Sequence, residues 1–243
     1  MRAAPELQLV VRAGSGFDNV DINYAEAHGI VVENTPGQNA NAVAELALEL
    51  MLSALRPLNG KPGRELKGRT LAVHGFGNIG RLVSGLGRAF GMTVKAYDMY
   101  MNEEVARNLE VTVAESVKEL YIDADVVSVH IPDNPETHGS INGELLLSMK
   151  PDGVLVNTAR AGVINEDDLL ALFEKNPKFS YATDIAPSAD FQERIKNEFT
   201  DRVIMTPKKQ GAQTLEANTN AGMAAARQTI SYFKDGDTTF CVY

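Results

Sequence analysis

A single cysteine, Cys241, occurs among 243 residues, which excludes an internal disulfide and fits a reducing, cytoplasmic setting. No apolar run approaches the roughly 20 residues that a membrane-spanning helix needs. The opening MRAAPELQLVVRAG has only a short apolar run and no cleavage site after it, so no secretory leader is expected. Positive charge is also scarce: 23 Lys and Arg stand against 32 Asp and Glu, a net charge of −9. A chain of this sign repels phosphate backbones and anionic headgroups, which argues against nucleic acid and membrane as partners. Internal repeats and low-complexity segments are absent. What remains is an ordinary globular composition, 44% hydrophobic, with length for one large or two small domains.

Strand-like runs alternate with helical ones. LQLVV, IVVENT, TLAVHGF, TVKAYD, DVVSVHIP, GVLVNTA, YATDIA and RVIMTP are rich in β-branched residues. Several are apolar without alternation, as strands buried on both faces are. Between them lie NAVAELALELMLSALR, NIGRLVSGLGRAFG, AESVKELYIDA, EDDLLALFEK and TLEANTNAGMAAARQTISYFKDG, with helical spacing of apolar residues. This order predicts an α/β fold built on a doubly wound parallel sheet. The Pro-, Gly- and charge-rich stretch RPLNGKPGRELKG (56–68) is expected to be a linker, and a second crossing is expected in TPKKQGAQ (206–213). The expected domains are residues 57–207, and residues 1–56 together with 208–243.

The stretch HGFGNIGR places Gly75, Gly77 and Gly80 at the spacing G-x-G-x-x-G. Alone the motif is weak, but here a strand runs into it, a helix begins inside it, and a second strand ends in Asp98, 18 residues beyond Gly80. Gly75 permits the tight turn, Gly77 lets the backbone approach a pyrophosphate, and Gly80 lets helix and strand pack closely. Asn78 and Ile79 open the helix, whose N–H groups and dipole suit phosphates. Asp98 is expected to take the adenosine ribose hydroxyls and repel a 2′-phosphate, and DMYM after it brings no adjacent Arg. The cofactor indicated is NAD rather than NADP. GRELKGRT mimics a P-loop, but Arg69 stands where Lys is required and a strand, not a helix, follows.

Four blocks, VVRAGSGFDNVDINYAEAHGIVVENTPGQNANAVAELALELML, LKGRTLAVHGFGNIGR, ADVVSVHIPDNPETHGSIN and MKPDGVLVNTARAGVINEDDL, resemble the D-2-hydroxyacid dehydrogenase family in order and spacing. TPKKQGAQTLEAN and the short linker are most similar to the short-type 3-phosphoglycerate dehydrogenases. The resemblance implies a Rossmann-type NAD domain and a flavodoxin-like substrate domain with the active site between them, and it implies a homodimer. It also implies NAD-dependent oxidation of a small-molecule substrate, foremost 3-phosphoglycerate to 3-phosphohydroxypyruvate for serine synthesis. Another 2-hydroxy acid, a non-catalytic NAD-binding role and an inert product remain open. Arg160 would hold the substrate carboxylate and polarise its carbonyl, and Asp184 would bind the nicotinamide carboxamide. Thr158 and Ile131, with His130, Pro132 and Thr137, would line the cofactor side. Arg12, Ala13, Gly14, Ser15 and Asn39 would bind substrate. Members begin earlier in the substrate domain, so the chain is expected to be N-terminally truncated.

The chain departs from the family at the acid/base. Where members carry His after Pro, this sequence has Lys208 and Lys209, and Ala189 stands near the expected supporting Glu. A lysine can protonate a developing alkoxide, or accept the hydroxyl proton once it is itself deprotonated. Lys208, directly after the Pro, is the favoured candidate, and Lys209 remains open. His28, His74, His130 and His138 are expected to be structural or cofactor-adjacent.

Overall fold

The computed structural model describes residues 1–60 and 62–243; Lys61, inside the expected linker, lies outside the described residues. The chain runs β1 (Leu9–Arg12), α1 (Ile22–Ala27), β2 (Val31–Asn34), α2 (Ala40–Leu55), β3 (Thr70–His74), α3 (Asn78–Ala89), β4 (Thr93–Tyr97), α4 (Glu103–Asn108) and β5 (Thr112–Val113). It continues α5 (Val117–Tyr121), β6 (Val126–Val129), α6 (Gly143–Ser148), β7 (Val154–Asn157), α7 (Glu166–Lys175), β8 (Ser180–Thr183), α8 (Ala189–Arg194), β9 (Val203–Met205) and α9 (Leu215–Asp235). Among the described residues no helix is long and apolar enough to cross a membrane.

The chain divides into two compact units: Val43–Gly211, and Met1–Ala42 with Ala212–Tyr243. The division falls at 42/43 and 211/212, not at the expected 56/57 and 207/208. Ala44, Ala47, Leu50, Met51 and Leu55 of α2 share a core with Leu66, Leu71 and Met92, which holds α2 to the larger unit. The 208–211 segment stays there because the Gln210 and Gly211 amides donate to the Asp184 carboxylate.

The larger unit is a seven-stranded parallel sheet in the order β5-β4-β3-β6-β7-β8-β9. The chain builds outward from β3 to β5, then returns to the other side of β3 with β6. The order therefore reverses between β3 and β6, and open α/β sheets bind ligands at the carboxyl ends of strands at such a reversal. Strands β6 and β7 are buried along their whole length. Their side chains alternate between two cores: Val127, Val129 and Leu155 pack with Tyr121, Phe173 and Phe179, while Val126, Val154 and Val156 pack with Leu71, Val73 and Met51. In the smaller unit β1 and β2 pair in parallel, with Leu9 opposite Val31. Ala25, Ile30 and Val32 form its core with Leu7, Val10 and Val20, and the tail closes on β2 through Val242 N–H to Val32 O.

At the amino ends of the central strands one carboxylate ties three elements together. Asp125 Oδ1 accepts from Arg69 at 2.9 Å, and its Oδ2 accepts from the Thr70 amide at 2.9 Å and Lys150 Nζ at 2.8 Å. Burial pushes this carboxyl up, but Lys150, the Thr70 amide and Arg69 together hold it below the ordinary carboxylate range. The stabilisation is present at neutral pH and is lost as pH falls through the lowered value. Asp125→Ala leaves two cations and an amide without their acceptor. It is predicted to destabilise the larger unit by about 3 kcal/mol in urea unfolding at pH 7. A variant as stable as the parent would contradict this anchoring role.

Candidate active site

Strand β3 ends in His74 and enters Gly75 at φ +99°, a conformation that side chains resist. A Cβ on Gly75 would lie 2.7 Å from the His130 carbonyl carbon, and one on Gly80 would lie 2.0 Å from Gly75 O. The first glycine lets the end of β6 approach, and the third presses α3 onto the turn. Gly77, the N-cap of α3, provides no side-chain cap, and nothing lies within 4 Å of where its Cβ would be. The first turn of α3 thus presents uncapped amides at open space, the arrangement that receives phosphate.

Asp98 follows β4 and is half-buried. Its Oδ2 accepts from Phe76 N–H at 2.6 Å and its Oδ1 from Tyr100 N–H at 2.8 Å, so the two oxygens are fixed with acceptor capacity remaining. A cavity of about 690 Å³ beside it is lined by Met99, Met101, Glu103, Arg107 and Glu115, among others. Arg107 has no signal in the sequence: it comes from the far end of α4 and shares this cavity with Glu103 and Glu115.

Two imidazoles sit under the sheet reversal. His74 is 5% exposed, with Nδ1 3.0 Å from the hydroxyl of buried Tyr121. Burial lowers its pKa to about 4, against a smaller opposing effect of Asp98. His130 pairs through Nε2 with Ser128 Oγ at 2.8 Å; burial, then His74, lower its pKa to about 3. Both rings are neutral at physiological pH. His28 caps α1 and stacks on Tyr24 at 3.9 Å. His138 is exposed and bonds Asp133 at 2.9 Å.

The ends of β7 and β8 carry the remaining polar groups of the larger unit. Asp184 is 1% exposed; its Oδ2 accepts from Gln210 N–H at 3.1 Å and Gly211 N–H at 2.7 Å, while buried Oδ1 has no protein partner. Thr158 Oγ1 and His130 Nδ1 are likewise buried and unpaired. Asn157 fixes the loop beyond β7 by donating to Arg160 O at 2.9 Å and accepting from Ala159 N–H at 2.9 Å. Arg160 is half-buried, with Nη1 donating to Ala159 O at 2.8 Å. Ile131 is half-buried; Thr137 Oγ1 donates to Pro132 O at 2.6 Å and closes that loop on itself. Lys208 and Lys209 are exposed in the turn after β9, where Thr206 Oγ1 donates to Lys208 O at 2.7 Å. Ala189 opens α8 and is exposed.

In the smaller unit Arg12 and Ala13 lead from β1 into the loop, with Arg12 Nη1 donating to Ala13 O at 3.0 Å. The Gly14 amide, expected to face substrate, donates to Thr35 Oγ1 at 2.6 Å. Ser15 Oγ donates to Asn39 Oδ1 at 2.9 Å.

The larger unit therefore suits a dinucleotide. It offers uncapped amides for phosphates and a fixed carboxylate for ribose hydroxyls. At the end of β8 it keeps a buried acceptor, Asp184 Oδ1, in want of a donor such as a carboxamide NH₂. Asn157, Phe76, Gln210 and Gly211 had no signal in the sequence, because their roles depend on backbone amides and carbonyls that only the fold brings together.

Comparison with known proteins agrees with this geometry. The model of the D-isomer specific 2-hydroxyacid dehydrogenase NAD binding domain matches residues 48–208. The chain is 36% identical over 242 residues to the D-3-phosphoglycerate dehydrogenase of Synechocystis, covering 94% of this chain and 43% of that protein. A hydroxypyruvate reductase of Thermotoga maritima is 35% identical, covering 92% of this chain and 76% of that protein. The crystal structure of NAD+-bound 3-phosphoglycerate dehydrogenase from Entamoeba histolytica superposes with a TM-score of 0.92 at 38% identity, covering all of this chain and 77% of that one. The chain thus spans less than half the length of the curated phosphoglycerate dehydrogenases it matches.

The buried histidines give a pH prediction. A histidine whose folded pKa lies below its unfolded value binds protons more readily when unfolded, so stability falls with pH. For His74 the loss begins near 6.5 and reaches roughly 3 kcal/mol by pH 4. His74→Gln is predicted to be less stable at pH 7 but to lose less stability between pH 7 and 4, read by urea unfolding at each pH. Equal acid sensitivity in parent and variant would contradict a neutral buried imidazole.

Proposed function

Because the chain belongs to the D-isomer specific 2-hydroxyacid dehydrogenase family and carries its NAD-binding domain, we propose that it transfers a hydride between NAD and a D-2-hydroxy acid, foremost the 3-phosphoglycerate/3-phosphohydroxypyruvate pair of serine synthesis. The observation that carries this reading is the unpaired buried Oδ1 of Asp184, at the end of the strand beside the one that leads to Arg160. Bound NAD would supply the hydride acceptor. Gly75, Gly77, Asn78, Ile79 and Gly80 would receive its pyrophosphate, Asp98 its adenosine ribose, and Asp184 its carboxamide. Thr158, His130, Ile131, Pro132 and Thr137 would line the same cofactor side.

Arg160 would grip the substrate carboxylate in two-point fashion and polarise the adjoining carbonyl, since a guanidinium keeps its charge and presents paired donors. Lys208, or Lys209 next to it, would take the hydroxyl proton at Nζ during oxidation and return it during reduction. For the smaller unit we propose anion binding by the loop Arg12–Ser15 with Asn39. A cytoplasmic homodimer completes the proposal. The Thermotoga relative supports a second reading, reduction of a small non-phosphorylated 2-keto acid.

Single-turnover NADH formation from 3-phosphoglycerate tests the assignment. Arg160→Lys should lose most of the rate with NAD binding barely changed, because an ammonium cannot make the planar contact. Lys208→Ala should slow the chemical step about 10²- to 10⁴-fold. A larger loss in Lys209→Ala would transfer the role to that neighbour, and wild-type turnover in both lysine variants would remove lysine from the mechanism.

A further inference from the structure

Phe76 lies between the first two glycines of the turn and is 2% exposed, with its ring in the core that α2 and β3 share. Its N–H donates to Asp98 Oδ2 at 2.6 Å. Its carbonyl accepts from Arg81 Nε at 3.0 Å, and the Arg81 guanidinium lies over the Phe76 ring, 5.8 Å from its centroid. The residue is thus held at amide, carbonyl and side chain at once.

A cation at this place needs a reason. Arg81 stands in the first turn of α3, where its amide donates the opening helical bond to Gly77 O at 3.1 Å, and that turn contains no acidic residue. Positive charge at a helix N-terminus opposes the helix dipole. The peptide plane offers the reason. In a trans peptide the C=O and the following N–H point in opposite directions. Holding Phe76 O on the Arg81 side therefore aims Gly77 N–H the other way, away from Arg81. If the Phe76–Gly77 peptide turned over, a carbonyl oxygen would replace that donor, and an incoming phosphate would meet negative rather than positive potential.

We propose that Arg81 is a positioning residue for the dinucleotide, acting through Phe76 O to keep Gly77 N–H oriented as a phosphate donor. The role belongs to the geometry of the Nε–H bond and the ring stack, not to the charge alone. It rests on the reading of this turn as the NAD site.

The test has two arms. In the first, NAD is titrated calorimetrically into wild type, Arg81→Met and Arg81→Lys. Both variants should bind about tenfold more weakly, since a net hydrogen bond of this kind and its stack are lost in each. Turnover at saturating NAD should stay near wild type. In the second arm, amide hydrogen exchange is followed in the cofactor-free proteins. Peptides spanning residues 74–80 should exchange faster in both variants, while β6 and β7 stay protected as in wild type. If Arg81→Lys binds NAD as wild type does while Arg81→Met does not, charge and not peptide orientation is responsible, and the proposal falls. It falls also if exchange in the turn is unchanged in both variants. Should wild type itself not bind NAD, the dinucleotide reading fails, and the proposal that depends on it fails too; the exchange arm then shows whether the clamp on Phe76 exists without that ligand.

Discussion

The contact between Gly80 and Gly75 O, where a Cβ would stand only 2.0 Å away, is the constraint on which the site depends. It lets the first turn of α3 lie directly on the end of β3, so the helix starts where the sheet order reverses. The uncapped amides, the fixed carboxylate of Asp98 and the neutral imidazoles beneath are arranged around that junction. A methyl group at residue 80 would push the helix off the strand and move all of these together.

The two ends of the sheet differ in how their polar groups are served. At the amino ends of β3 and β6, the Asp125 carboxylate is saturated by Arg69, Thr70 and Lys150. At the carboxyl ends, Asp184 Oδ1, Thr158 Oγ1 and His130 Nδ1 are buried without partners. An unpaired buried polar atom costs about 1–3 kcal/mol, so three at one edge mark a place shaped for something other than the protein itself. One end of the sheet has its carboxylate saturated by protein donors, and the other keeps buried polar atoms open to a ligand.

Much of this was legible in the sequence, and what was not has physical causes. The quoted strand runs coincide with eight of the strands, because buried parallel strands need continuous β-branched runs. Thr112–Val113 escaped notice because two residues carry no periodicity. The six-residue helices α4, α6 and α8 were missed for the same reason. Composition at 56–68 pointed to a domain boundary, but apolar contacts decide membership, and those of α2 lie with the sheet. Around the glycine turn, the tight φ at Gly75, the close approach at Gly80 and the position of Asp98 after β4 were readable because they are local. The holding of Asp184 by residues 210 and 211, the Asn157 brace and the nearness of Arg107 to Asp98 come from tertiary placement and leave no pattern along the chain.

On the proposed assignment, Val43–Gly211 holds NAD, and Asp98 selects it over its 2′-phosphorylated form. Calorimetric titration of the protein with NAD and with NADP tests this most directly. Saturable binding of NAD, with NADP at least about tenfold weaker, is the predicted result, since a phosphate beside a fixed carboxylate is repelled. Absence of NAD binding, or tighter binding of NADP through Arg107, would contradict it.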